Sequence, residues 1–492
     1  MPRRKKSVTV TLFISGVLIF LSCAMLCFAT TNGVEEMVNA FRRETKSEAV
    51  GVVTYDHGTV EYYGEKNGLF QIGSMTKSFT GLAVQKLINE GALKESDRVS
   101  DILTGFEAYY QGVNVEITVG QLMRQTSGYT NSEKAYPSAK TGQTLASWVE
   151  SMSGKSLQSA PGEQYAYSNV NFNLLGAIIE EVSGMSYREY MESKILSPLG
   201  LEHTYVGEPG DKNMAQTSKE TATSKEVASE EEILQGSRLF FRHAIPYHVP
   251  VREGAIPAGY FYSNLEDMGR WMEIWLGTAD VPGEYQEVIR EIKAELREEG
   301  AYYGGWECFK DGVIGHSGGT ANYSSRIAFS EGDGVGTCVL TNLNVAASTD
   351  SLCNGILELL KGGEAGKIVS DVWTVFDMIF TVLCIFAGLA IPVCIRCRKR
   401  GMIISFGGSC FVLMISMGVI FPLIFGAGLF AILFTWAPLS VAVFFGMLLM
   451  IVLITAVRCL FWKKRMVGEK NENSKETGDG GAAHGDRGIS GI

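Results

Sequence analysis

A serine and a lysine three residues apart at the start of a helix can turn an ordinary hydroxyl into a nucleophile. The sequence holds such a pair, Ser74 and Lys77, in Gly73-Ser74-Met75-Thr76-Lys77-Ser78-Phe79-Thr80. A serine attacks poorly unless a base takes its proton. A lysine held close by and partly desolvated can be that base, because burial lowers its pKa. Residues three apart share a helix face, so the two side chains can meet. The free N–H groups of the first turn also favour a nearby anion. Alone, S-x-x-K is a weak signal: it occurs by chance in many chains, and a lysine one turn into a helix is ordinarily a solvated surface charge.

The elements that must position the pair are legible around it. A short apolar run, Leu69-Phe70-Gln71-Ile72, precedes it. Thr80, Leu82, Ala83, Val84, Leu87 and Ile88 then recur at helical spacing up to a stop at Glu90-Gly91. Upstream, residues 34–43 form an amphipathic helical pattern. Residues 49–55 and 59–63 flank Asp56-His57-Gly58 and read as a hairpin. The long middle is mainly helical, with clear helices at 145–152, 171–182 and 187–194, and residues 207–232 form a polar surface excursion. Strands return at 322–330 and 335–341 around Glu331-Gly332-Asp333-Gly334, followed by a helix at 351–360. Strands at both ends with helices between them predict an α+β domain over 35–362. Its antiparallel sheet is built from both ends of the domain, with helices on its faces and a mainly helical insert.

Composition narrows the rest. The chain has 492 residues and a net charge of −10, so it offers no basic footprint for nucleic acid. Of its ten cysteines only Cys308, Cys338 and Cys353 lie in the middle, which is no disulfide scaffold. The scattered histidines and the lone Cys394/Cys397 pair give no metal-site pattern, and neither metal nor cofactor is expected. The basic start Arg3-Arg4-Lys5-Lys6 and the uncharged run that follows predict a signal peptide or N-terminal anchor over 1–31. Residues 372–395 form a span-length apolar run. Residues 401–457 contain no Asp, Glu, Lys or Arg, room enough for two more spans, at 402–424 and 439–461. Arg396, Arg398, Lys399 and Arg400, and then Lys463-Lys464-Arg465, belong in the cytoplasm by the positive-inside rule. The domain is therefore expected outside a cell membrane that the chain crosses repeatedly, with a disordered cytoplasmic tail at 466–492. Asp377, near the outer end of the first of these spans, reads either as a functional group or as a solvated carboxylate.

Two further motifs follow in order: Tyr167-Ser168-Asn169, just before a helix, and His316-Ser317-Gly318-Gly319, just before the last strand pair. With Ser74 and Lys77 they resemble the S-x-x-K, Y-x-N and K/H-x-G motifs of the penicillin-binding-protein and serine β-lactamase hydrolases, in the branch related to class C β-lactamases. Arg124-Gln125-Thr126-Ser127-Gly128 and Pro257-Ala258-Gly259-Tyr260 match as well.

The resemblance implies a nucleophile (Ser74), its base (Lys77) and a proton shuttle (Tyr167), whose phenolate the lysine ammonium would favour. It implies an oxyanion hole from the backbone N–H groups of Ser74 and Gly319, and substrate contacts from Asn169, His316 and Gly318. Arg326, on the next strand, reads as a surface arginine or a carboxylate binder. Two positions depart from the pattern. Gln125 stands where relatives often carry histidine, which bears on support of the helix. His316 replaces the lysine of penicillin-recognising enzymes and is mostly neutral at pH 7, which weakens the case for β-lactam hydrolysis. The layout is similar to that of membrane-bound prodrug-activating D-peptidases. The expected activity is hydrolysis of D-amino-acid-containing or acylated peptides, small substrates, through an acyl-enzyme. The rivals are a cell-wall-directed esterase or D-peptidase, a weak β-lactamase, and a receptor acylated once by β-lactams or wall fragments.

Overall fold

The computed structural model describes residues 33–210 and 233–476. The expected N-terminal segment 1–31 and most of the polar excursion lie outside the described residues.

Two strands from the start of the domain, β1 (Val50–Asp56) and β2 (Thr59–Gly64), meet strands from its end. The first pair turns at His57 and Gly58, both at positive φ (47° and 96°), the backbone a two-residue hairpin turn requires. Along the chain, between the strands that form the two halves of the sheet, comes a separate hairpin, β3 (Ser237–Phe240) and β4 (His243–Pro246). The remaining strands of the main sheet are β5 (Tyr302–Tyr303), β6 (Trp306–Cys308), β7 (Ile314–Gly319), β8 (Ser324–Ser330) and β9 (Val335–Thr341). The main sheet is antiparallel, in the order β5-β6-β7-β8-β9-β1-β2. Val50 pairs with Thr341 and Asp56 with Val335, which closes the two ends of the domain on each other.

Both faces of the sheet are covered, as its buried central strands require. On one side lie α1 (Val34–Thr45) and, in chain order below, α5 (Ala346–Leu360), over a core that includes Phe41, Val52, Val339 and Ile356. On the other side lie α2 (Thr76–Asn89), α3 (Asn169–Ser183) and α4 (Leu265–Leu276). There Phe79 stacks on Trp271 at 4.1 Å between ring centroids, and Trp271 lies 6.5 Å from Trp306 of β6. Each of these fully buried aromatics contributes about 1.5–3 kcal/mol relative to exposure, so the nucleophile helix is fixed through its apolar side.

Three helices follow the domain: α6 (Val372–Arg396), α7 (Arg400–Phe425) and α8 (Leu439–Glu476). Each contains a stretch long and apolar enough to cross a membrane, that of α8 running from Leu439 to Trp462. A π-helical turn, Ile432–Trp436, joins the last two. The tail expected to be disordered from 466 is helical through Glu476, because α8 continues past its apolar part, and residues 477–492 lie outside the described residues. Asp377 is not solvated. It is fully buried, and its carboxylate is met by backbone N–H groups and a serine.

Candidate active site

Ser74 stands in a tight turn, Gly73–Met75, that leads into α2. Three bonds hold that turn: Thr76 Oγ1 donates to Gly73 O at 2.7 Å, Ile72 N donates to Phe261 O at 2.9 Å, and Ser325 Oγ donates to Ile72 O at 2.8 Å. A Cβ on Gly73, which has a φ of +53°, would come within 2.5 Å of Gly319 N, and one on Gly318 within 2.0 Å of Ile72 O. Glycine at both places lets the 73–74 backbone lie against 318–319. These are the two segments that would carry the oxyanion donors.

The Lys77 side chain is fully buried. Its Nζ lies 3.0 Å from Ser74 Oγ, 2.7 Å from Asn169 Oδ1 and 2.6 Å from Ala258 O. It also sits over the Tyr167 ring, 4.9 Å from the centroid. Burial without a facing carboxylate holds its pKa well below the usual lysine value. Nζ donates to Ser74 Oγ, Asn169 Oδ1 and Ala258 O, and in the neutral form that burial favours its lone pair can face the Ser74 hydroxyl. The turn Gly304-Gly305 presses on the same helix. A Cβ on Gly305 would stand 2.2 Å from Lys77 C, and one on Gly81 2.0 Å from Gly304 O.

Burial raises the Tyr167 pKa, and the neighbouring Ser74 side chain opposes the rise only in part. The expected phenolate is therefore corrected: burial favours the neutral phenol of Tyr167, and it shifts Lys77 toward its neutral amine as well. Gln125, at a φ of 58°, supports this corner. Its Oε1 accepts from Ser168 N at 3.0 Å and from the Asn171 side-chain amide, and its backbone carbonyl accepts from Ala166 N. Gln125 thus holds the Tyr167-Ser168-Asn169 turn in place.

His316 is 6% exposed, and both ring nitrogens are engaged within the protein. Nδ1 lies 2.6 Å from the carbonyl of Ser317, so it carries the proton, and Nε2 accepts from the Tyr302 hydroxyl at 3.3 Å. Burial, then the nearby Lys77, push its pKa down to about 3. Tyr302 is the residue that sequence reasoning missed. It packs edge-on to Tyr167 and to Phe172, and no motif in the sequence marks it. Arg326 is neither a surface residue nor a substrate clamp. It pairs across the sheet with Ser317, on the face away from His316 and Gly318. There it donates to Ser317 Oγ (2.7 Å) and Asn354 Oδ1 (3.0 Å), with Asp350 at 3.8 Å. Among the described residues no cluster of ligating side chains could hold a metal ion.

A serine against a buried lysine amine, beneath an antiparallel sheet with helices on both faces, defines the class of serine hydrolases that act through an acyl-enzyme. Residues 34–358 match the Beta-lactamase family, and the chain belongs to it. Protein flp of Staphylococcus aureus (strain N315) is 27% identical over 402 residues, covering 76% of this chain and 76% of its own. Penicillin-binding protein 4 of Amycolatopsis lactamdurans is 25% identical over 301 residues, 57% of this chain and 74% of that protein. Among solved structures, the octameric penicillin-binding protein homologue from Pyrococcus abyssi superposes with a TM-score of 0.56 at 22% identity, covering 70% of this chain and 80% of that one. A class C β-lactamase gives 0.54 at 18%, covering 65% and 93%. These two likenesses are likenesses of fold.

Proposed function

We propose that this serine hydrolase is tethered to the membrane with its catalytic domain on the extracytoplasmic side. Its substrates are D-amino-acid-containing or acylated peptides, cleaved through an acyl-Ser74 intermediate. The observation that carries the reading is the fully buried Lys77 amine 3.0 Å from Ser74 Oγ. Lys77 takes the hydroxyl proton as Ser74 Oγ attacks the acyl carbon, and the N–H groups of Ser74 and Gly319 receive the oxyanion. Two fixed donors of this kind are each worth on the order of 10²–10³ in rate. The Tyr167 hydroxyl gives its proton to the leaving nitrogen and is reprotonated from Lys77. Water then attacks the ester by the same steps in reverse.

His316 supports a peptide over a penicillin. Its imidazole is neutral and spends both nitrogens on Ser317 and Tyr302, so it offers no cation to a substrate carboxylate. The test is full-length protein, with Ser74→Ala as control, against N-acyl-D-amino-acid amides, the matching esters and nitrocefin. Amide turnover above nitrocefin turnover, lost in Ser74→Ala, is expected. Nitrocefin hydrolysed as fast as the amides overturns the substrate preference, and acylation without turnover makes the chain a receptor. A fluorophosphonate probe that still labels Ser74→Ala removes the nucleophile itself.

A further inference from the structure

The hairpin β3–β4 belongs to the catalytic domain, yet its outer end is built into the membrane helices. Its turn residues Phe241 and Arg242 both have positive φ (48° and 66°), and both backbone N–H groups donate to the carboxylate of Asp377, at 3.1 Å and 2.6 Å. Asp377 lies in the second turn of α6 and also accepts from Ser440 Oγ of α8 at 2.8 Å. On β3, Arg238 is buried and donates to three carbonyls: Ala437 (2.6 Å), Phe434 (3.1 Å) and Leu433 (2.5 Å). These carbonyls belong to the π-helical turn and its exit, where helical acceptors lose their own donors. Tyr247 Oη adds a bond to Phe434 O at 3.0 Å. A carboxylate and a guanidinium buried here are costly unless fully paired; the guanidinium of the hairpin finds its partners among the C-terminal helices, and the carboxylate of α6 is met by the hairpin.

The inner end of the hairpin is stitched to the active site. Ser237 N donates to Asn342 O at 2.7 Å, and the Asn342 amide donates to Gln235 O at 2.8 Å. The Asn322 amide donates to Tyr247 O at 2.9 Å, and Tyr323 Oη donates to Leu234 O at 2.7 Å. Asn322 and Tyr323 close the turn that directly follows Gly319, a turn held internally by Thr320 Oγ1, which donates to Asn322 Oδ1 and accepts from Tyr323 N. One short hairpin therefore runs from the ends of the spans to within three residues of an oxyanion donor. Retention at the membrane does not need it, because the chain already enters α6 directly from the domain.

We infer that Arg238 and Asp377 are positioning residues, which act through β3–β4 to hold the 319–323 turn and with it the Gly319 N–H. The three-span bundle is then a working part of the active site as well as its anchor. The inference rests on Gly319 serving as the oxyanion donor of the proposed hydrolase.

The test uses the full chain in native membranes and two readouts: the rate of Ser74 labelling by a fluorophosphonate, and amide hydrogen exchange at residues 319–323 in unreacted protein. In Arg238→Ala and Asp377→Ala, labelling should slow about tenfold or more, short of the 10²–10³ lost when a donor is removed outright. Exchange at 320–323 should speed up. The double variant should be no slower than the slower single, since both changes release one hairpin. Arg238→Lys, which keeps charged donors, should recover part of the rate. If the alanine variants fail to accumulate, Asp377→Asn and Tyr247→Phe carry the same comparison. Wild-type labelling rates in the variants overturn the inference, and so does slow labelling with unchanged exchange at the turn. Wild-type protein that takes no label at Ser74 sinks the hydrolase reading instead. Exchange still decides whether the bundle holds the turn.

Discussion

The imidazole of His316 should make the domain lose stability as pH falls, by an amount the structure fixes. Burial and the neighbouring Lys77 bring its pKa from 6.5 down to about 3 in the fold. Between those values the unfolded chain binds a proton there that the folded chain does not, so stability falls as pH falls. The contribution is fully present above pH 6.5 and is lost progressively down to about pH 3. At pH 5 the unfolded state has gained 1.5 units of protonation free energy while the folded state has gained almost none, a loss of about 2 kcal/mol relative to pH 7.5. This figure requires only that the folded value lie well below 5. The perturbation is His316→Gln, which keeps a polar side chain and removes the titration. The assay is urea unfolding of the full chain in mild detergent at pH 7.5 and 5, followed through the buried tryptophans Trp148, Trp271, Trp275 and Trp306. The wild type should lose about 2 kcal/mol more than His316→Gln between the two pH values. Equal losses would refute the neutral, internally bonded imidazole, and with it the argument against a carboxylate clamp.

Three shorter tests address the rest of the site and its setting. The rate of Ser74 acylation should rise with pH along a single limb set by Lys77, with a midpoint below the ordinary lysine value of 10.5, because burial favours the neutral amine that acts as base. A second limb near 6.5 would show a histidine at work instead. Gln125→Ala removes an acceptor shared by Ser168 N and the Asn171 amide, both buried, and should cost about 1–3 kcal/mol together with a slower acylation; an unchanged melting temperature would contradict that support role. With the basic clusters at 396–400 and 463–465 inside, protease added to intact cells should spare a C-terminal tag, and removal of the tag would contradict three spans after an exterior domain.

The sheet was legible because its signals are local. Alternation and turn residues marked β1–β2 and β8–β9, and strands at both ends of a domain leave few ways to close it. The three helices long and apolar enough to cross a membrane were legible for a similar reason, since long uncharged runs of span length leave few other readings. Tyr302 was not legible as a site residue. Its strand is two residues long, and its role depends on β5–β6 folding back on α2 through Gly304 and Gly305, a contact that no local pattern encodes. The Tyr167 phenolate expectation failed for a related reason. Burial of Lys77, Tyr167 and His316 is a property of the whole fold, and burial rather than pairwise charge leads the shift at each.

Arg326 and Asp377 show the same limit from the other direction. On sequence each was a lone charge with one functional and one bland reading, and in the structure each is a buried hub. Arg326 fixes Ser317 from behind the third motif, while Asp377 fixes the tip of a hairpin whose root borders the same motif. The strand that carries His316, Gly318 and Gly319 is therefore gripped from the helix behind it through Arg326 and Asp350. Through β3–β4 the long apolar C-terminal helices reach the turn at its end. A motif of small residues has little packing of its own to define its position, since Gly318 and Gly319 bring no side chains. Placing their backbone to the tolerance an oxyanion hole demands falls to neighbours with several directional bonds each. Buried charges, costly as stability devices, are suited to that task because a misplaced partner leaves them unsatisfied.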